Sequence, residues 1–193
     1  TDAGTPLAVG DLVANRYLLQ EQLGSGGMGV VFRAFDRELA EPVALKTLHP
    51  RLHLADPLLL ERFKQEIRLA RRISHRNVVR THDLGEANGI LFLTMELVEG
   101  TSLDELIRRR GALPPDVVVQ IAKQLLRALE AAHEVGVIHR DVKPGNLIVQ
   151  PSGLVKVMDF GIARLVESAA PSEPGLTRAG VLVGSPDYMA PEQ

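Results

Sequence analysis

The densest concentration of reactive side chains lies in His139-Arg140-Asp141-Val142-Lys143-Pro144-Gly145-Asn146, with Asp159-Phe160-Gly161 thirteen residues after Asn146. Carboxylates, cations and an amide at such close and ordered spacing are a specific signal. Far upstream, Gly24-Ser25-Gly26-Gly27-Met28-Gly29-Val30-Val31 spells GxGxxGxV between two strand-like runs. Glycines let a backbone approach a phosphate and aim its amides at it, although a Gly-rich hairpin is also an ordinary turn. In a dinucleotide fold the same glycines would open a helix instead. In Val43-Ala44-Leu45-Lys46, strand alternation sets Ala44 and Lys46 on one face and Val43 and Leu45 on the other. Lys46 then reads either as a solvated edge residue or as an inward cation that needs an anion. Glu66 suits the second reading, because it falls about 60° from Phe63 on a helical wheel, at the edge of an apolar stripe.

The elements that must carry these groups follow from periodicity. Tyr17 to Leu23, Val30 to Asp36 and Val43 to Leu48 read as three strands of an antiparallel meander. Asp56-Pro57 reads as an N-cap with proline at the first helical position, and Leu59, Phe63, Ile67 and Ala70 continue a helix expected to reach Ser74. Val78 to Leu84 and Ile90 to Glu96 read as two more strands, separated by Ala87-Asn88-Gly89. After Glu99-Gly100-Thr101, a hinge by composition, the pattern turns helical over Leu103 to Arg110 and again from Pro115 through Ala132. Two short strands, Leu147 to Gln150 and Leu154 to Met158, precede a long Gly-, Pro-, Ser- and Thr-rich segment. Residues 1–15 read as a flexible leader. Arg108-Arg109-Arg110 is read as a cationic helix end favoured by the macrodipole and not as a binding patch.

Composition narrows the function classes. The chain has 193 residues, 45% of them apolar, with 22 Lys and Arg against 24 Asp and Glu for a net charge of -2. That is enough apolar material for a core and too little positive charge to hold nucleic acid or an anionic membrane by bulk attraction. Without cysteine there is no disulfide framework, zinc ribbon or thiol nucleophile, and the six histidines have no metal-ligand spacing. No apolar run approaches a membrane span, so the expected location is cytoplasmic, free or as the cytoplasmic part of a larger membrane protein.

The ordered set from Gly24 to Glu192 resembles the protein kinases, and within them the bacterial kinases of eukaryotic serine/threonine type. The resemblance implies an α+β, bilobal fold: an N-lobe over residues 16–98, with a five-stranded antiparallel sheet and one main helix, and a mostly helical C-lobe over 99–193. Ala190-Pro191-Glu192 ends the activation segment in that family and further helices follow there, so the C-lobe is expected to be incomplete. The face of the helix from Val117 to Glu134 would then show apolar residues that a second copy or a partner could cover.

The same resemblance implies the roles. Gly24, Gly26 and Gly29 line a flap over the ATP phosphates, Lys46 holds the α and β phosphates, and Glu66 orients Lys46. Val31 and Ala44 cover the adenine with Ile148 beneath it, Met95 stands at the back of that pocket, and Glu96 to Val98 supply the hinge backbone. Asp141 accepts or orients the substrate hydroxyl, Lys143 steadies the γ-phosphate, and Asn146 and Asp159 bind Mg2+, with Mn2+ as the alternative ion. Two oxygen donors suit a hard cation that shares phosphate oxygens. His139 is expected to support the loop and not to take the proton. Lys143, two after Asp141, follows the serine/threonine pattern, which implies protein Ser or Thr acceptors. Arg62, Arg140 and Arg164 match positions that meet a phosphate on the activation loop, with Thr177 as the first recipient; the plainer reading leaves Arg62 and Arg164 solvated.

Overall fold

The computed structural model describes residues 7–26, 29–48, 57–160 and 188, with the backbone alone for residues 57–59 and 62. They group into two compact units, the first within Thr1–Lys64 and Arg80–Leu97 and the second within Gln65–Val79 and Val98–Gln193.

In the first unit a six-stranded antiparallel sheet runs in the order β1-β2-β3-β4-β6-β5. Its strands are β1 Leu12–Val13, β2 Tyr17–Gly26, β3 Gly29–Asp36, β4 Glu41–Thr47, β5 Thr81–Ala87 and β6 Ile90–Glu96. The five expected strands are present. The sixth is the two-residue β1, which lies in the stretch expected to be a loose leader. Val13 pairs with Tyr17 and is only 1% exposed, so burial of one valine beside Tyr17 fixes chain that composition alone reads as irregular. Tyr17, Leu19, Phe32, Ala34, Val43, Leu45 and Phe92 complete this core. Each such large apolar side chain contributes roughly 2 kcal/mol by leaving water. The turn after β3 is held by Asp36, whose carboxylate accepts from Arg16 at 2.9 and 2.7 Å and from the Glu38 and Leu39 amides.

Helix α1, Pro57–Ala70, ends four residues short of the expected Ser74, and its expected cap Asp56 lies outside the described residues. Its last six residues and the segment to Val79 group with the second unit, which differs from an N-lobe continuous over 16–98. The cause is packing: Leu69, Ile73 and Val78 join Ala128, Ala132, Val137, Val157 and Phe160 in one core. For the same reason Val78 and Val79 do not begin β5. They run beside Val157 in a parallel bridge, with the Val79 amide donating to the Val157 carbonyl at 2.9 Å.

The second unit contains β7 Thr101–Ser102, α2 Leu103–Arg110, α3 Pro115–Glu134, a single 3-10 turn Pro144–Asn146, β8 Leu147–Val149 and β9 Val155–Val157. The small antiparallel sheet β7-β8-β9 was only partly expected, since β7 is too short to show a period. Helix α2 closes at Gly111, whose amide caps Ile107, and Arg109 pairs with Glu105 one turn back. On α3, Ile121, Ala128 and Ala132 are buried, while Val117, Val118, Val119 and Leu126 are exposed. Among the described residues, no helix is long and apolar enough to cross a membrane.

Candidate functional site

In the first unit, strand register decides which side chains share a face. Val31 lies opposite both Gly24 and Lys46, Lys46 opposite Leu93, and Ala44 opposite Met95. Directly paired residues point the same way, and residues two apart on a strand do too. Val31, Ala44, Lys46 and Met95 therefore occupy one face, while Phe32, Val43, Leu45 and Phe92 fill the core on the other. Lys46 is 5% exposed, which settles the edge-or-inward alternative: the cation is buried. Ala44 and Met95 are buried and Val31 is half-buried, an apolar surface with one ammonium among its members. Next to Met95, the Glu96 amide donates to the Arg80 carbonyl at 2.9 Å, and its carboxylate accepts the Arg80 amide at 3.2 Å.

The glycines at the tip of β2 and β3 are not equivalent. Gly26 pairs with Gly29, and both Gly24 and Gly26 have open space where a side chain would stand. Gly29 has φ +140, and a Cβ there would fall on the Thr47 carbonyl oxygen. Thr47 Oγ1 meanwhile bonds both the amide and the carbonyl of Val30 at 3.1 Å, which locks β3 to β4 at this point.

The second unit carries its candidate residues on one loop and one hairpin. His139 is 1% exposed; its Nε2–H donates to the Met158 carbonyl at 2.9 Å and its Nδ1 accepts the Asp141 amide at 3.3 Å. Those two bonds require the neutral ring with the proton on Nε2. Burial pushes the imidazole below its usual range, and Phe160 covers it with ring centroids 4.6 Å apart. Asp141, 9% exposed, accepts from Lys143 Nζ at 2.7 Å and from Asn146 Nδ2 at 3.0 Å, both at Oδ2. Asn146 Nδ2 also donates to the Asp141 carbonyl at 2.8 Å, so the amide nitrogen is committed to the loop and Oδ1 is left as an oxygen donor.

The thirteen-residue spacing from Asn146 to Asp159 is the length of a hairpin. Leu147 pairs with Val157, and the Met158 amide donates to the Asn146 carbonyl at 3.0 Å, so Asn146 and Asp159 leave adjacent strands side by side. Arg140 and Asp159 adopt left-handed backbone, φ 67 and φ 65, which costs about 1–3 kcal/mol for a residue with a Cβ and is held only where neighbours over-determine it. Ile148 and Val98 are half-buried in the same unit. Glu66 Oε1 lies 3.5 Å from Arg140 Nη1, so within this unit the α1 carboxylate meets the arginine that precedes Asp141. The Arg62 side chain, Arg164 and Thr177 lie outside the described residues.

An amide oxygen and a carboxylate from adjacent strands fit a hard divalent cation. Among the described residues, no three acidic or imidazole side chains gather into a metal cage. Sequence reading missed two residues beside this hairpin, Asn77 and Gln124. Gln124 had a signal: it stands three after Ile121 and four before Ala128, a polar residue on the buried stripe of α3.

A family model described as Protein kinase domain matches residues 17–193. Among curated proteins, serine/threonine-protein kinase pkn3 of Myxococcus xanthus is 44% identical over 190 residues, covering 96% of this chain and 34% of that protein. Serine/threonine-protein kinase PknL of Mycobacterium tuberculosis is 41% identical over 182 residues, covering 94% of this chain and 44% of that one. The crystal structure of the PknI kinase domain of Mycobacterium tuberculosis aligns with a TM-score of 0.72 at 32% identity, over 86% of this chain and 69% of that chain. The chain thus spans less than half the length of these curated relatives.

Proposed function

This chain belongs to the protein kinase family, and we propose that it transfers the γ-phosphoryl group of ATP, with Mg2+, to Ser or Thr hydroxyls of proteins. The observation that carries the reading is the Asp141 carboxylate held at one oxygen by Lys143 and Asn146, beside the strand that leads to Asp159. Phosphoryl transfer through a loose transition state needs alignment and charge neutralisation more than covalent help. Each residue has one task in this reading. Gly24, Gly26 and Gly29 let backbone approach the phosphates, Lys46 holds the α and β phosphates, and Glu66 orients Lys46. Val31, Ala44, Met95 and Ile148 take the adenine ring, with Glu96 to Val98 offering backbone polar groups at its edge.

Asp141 Oδ1, which neither Lys143 nor Asn146 engages, orients the acceptor hydroxyl and receives its proton as the oxygen attacks phosphorus. Lys143 balances the γ-phosphate charge from 2.7 Å beside that carboxylate. Asn146 Oδ1 and the Asp159 carboxylate hold Mg2+ or Mn2+, which neutralises phosphate oxygens when bound.

Regulation by phosphate on Thr177 belongs to the same reading. Arg140 meets Glu66 at 3.5 Å, a looser contact than a guanidinium makes with a phosphate, and Arg62 and Arg164 would join it there. The proposed setting is cytoplasmic, with ATP and a protein substrate as partners, no nucleic acid, and no membrane contact by this segment. A second copy or another partner is proposed to cover the exposed valines of α3.

Incubation of the chain with γ-labelled ATP, Mg2+ and a generic protein acceptor tests the reaction, with Asp141→Asn as control. Label on acceptor Ser and Thr that the substitution abolishes is the expected result. Stabilisation by nucleotide with no transfer would instead identify a nucleotide-binding module of kinase lineage.

A further inference from the structure

The strand that delivers Asp159 is gripped by two side chains that no motif singles out. Gln124 Oε1 accepts the Val155 amide at 2.9 Å and Asn77 Nδ2 at 2.9 Å, and Gln124 Nε2 donates to the Gly153 carbonyl at 3.0 Å. Asn77 Nδ2 also donates to the Val155 carbonyl at 2.7 Å, and the Asn77 carbonyl accepts the Val157 amide at 2.8 Å. The orientation of both side-chain amides is forced, because a backbone N–H can only donate and a carbonyl can only accept. Asn77 is 2% exposed, so its side-chain amide has no water to fall back on.

We propose that Gln124 and Asn77 are a positioning pair that fixes the backbone of β9 and through it the placement of Asp159. Neither touches metal or nucleotide. The reason the strand needs holding lies at its end: Asp159 has φ 65, a conformation that persists only when surrounding structure imposes it. With Val155 tied to Gln124 and Asn77, Val157 tied to Asn77 and Val79, and Met158 tied to Asn146 and His139, every residue but one from Val155 to Met158 has its amide and carbonyl bonded outside the β8–β9 ladder. Lys156, the exception, pairs with Ile148 of β8. Gln124 is the member of this set whose contribution is purely side chain and half-exposed, so it can be exchanged without opening the core.

The proposal rests on the reading of Asp159 as a metal ligand, and two measurements on the whole chain separate them. Gln124→Met keeps length and apolar stem but loses every bond, whereas Gln124→Glu keeps the oxygen that faces the Val155 amide and Asn77. In metal-free protein, amide hydrogen exchange at Val155 to Asp159 is expected to quicken about tenfold in Gln124→Met, with α2 unchanged, and to return most of the way in Gln124→Glu. The Mg2+ concentration that half-saturates binding of a non-hydrolysable ATP analogue is expected to rise roughly tenfold in Gln124→Met, as for other residues that orient ligands without touching metal, and to recover in Gln124→Glu. Exchange at wild-type rates, or an unchanged Mg2+ requirement, overturns the positioning pair. Absence of Mg2+-dependent analogue binding in the wild type overturns the reading of Asp159, and exchange still decides whether Gln124 holds the strand.

Discussion

The imidazole of His139 is bonded to the Met158 carbonyl at 2.9 Å, and its other nitrogen faces the Asp141 amide at 3.3 Å. One neutral ring thereby connects the loop that carries Asp141 to the residue before Asp159. A proton on Nδ1 would turn its acceptor into a second donor aimed at an N–H.

Acid should therefore loosen the second unit. Burial depresses the folded-state pKa of His139 below its ordinary 6.5. Between those two values the unfolded chain binds the proton and the folded chain does not, so stability rises with pH in that window and falls as pH drops below about 6.5. Denaturation midpoints measured from about pH 8 to about pH 5 should fall in the wild type. The slope should flatten in His139→Phe, which is less stable throughout but has no proton to take up there. Parallel slopes would exclude His139 as the source.

Lys46→Met is expected to reduce kcat about 100-fold, the scale of removing one preorganised charge from a phosphate, while nucleotide affinity changes less than about tenfold. The asymmetry follows because Val31, Ala44 and Met95 keep their apolar surface. Kinetics together with direct nucleotide titration measure both. Equal losses would show that Lys46 serves binding and not placement.

Thr177→Ala tests regulation. Relative to wild type shown by mass spectrometry to carry phosphate on Thr177, the substitution should lower activity roughly tenfold, and phosphatase treatment of the wild type should do the same. Activity equal to that of a phosphorylated wild type would remove the regulatory role from this threonine.

Arg16→Ala should cost the first unit about 3 kcal/mol, because it strands the Asp36 carboxylate, 2% exposed, without its bidentate partner. The Arg16 guanidinium holds the Asp36 carboxyl below its usual 3.8. That stabilisation is complete above 3.8 and disappears as pH falls through the lowered folded-state value. Urea denaturation at neutral pH and near pH 3 should show wild type and variant converging in acid.

What was legible in the sequence was local. Glycine turns, the shared strand face of Ala44 and Lys46, the end of α2 at Arg110 and the two short strands between Asn146 and Asp159 all depend on residues close in the chain or on a strict period. The failures share a cause in distant partners. Val78 and Val79 look like the start of a strand because they are β-branched, yet their neighbour is Val157, 79 and 78 positions away respectively. Asn77 is an ordinary loop asparagine until Gln124 and the Val155 carbonyl are beside it. Val13 gave no period because a two-residue strand has none.

The unequal surroundings of the turn glycines make mutational tolerance a diagnostic. Alanine at Gly24 or Gly26 meets empty space, so folded protein should accumulate normally, and any defect there reports on whatever the turn contacts. Any side chain at Gly29 must displace the Thr47 carbonyl and break the seam between β3 and β4. A library scored separately for cellular abundance and for catalysis should sort the three positions accordingly, with Gly29 failing in the first screen and the other two only in the second.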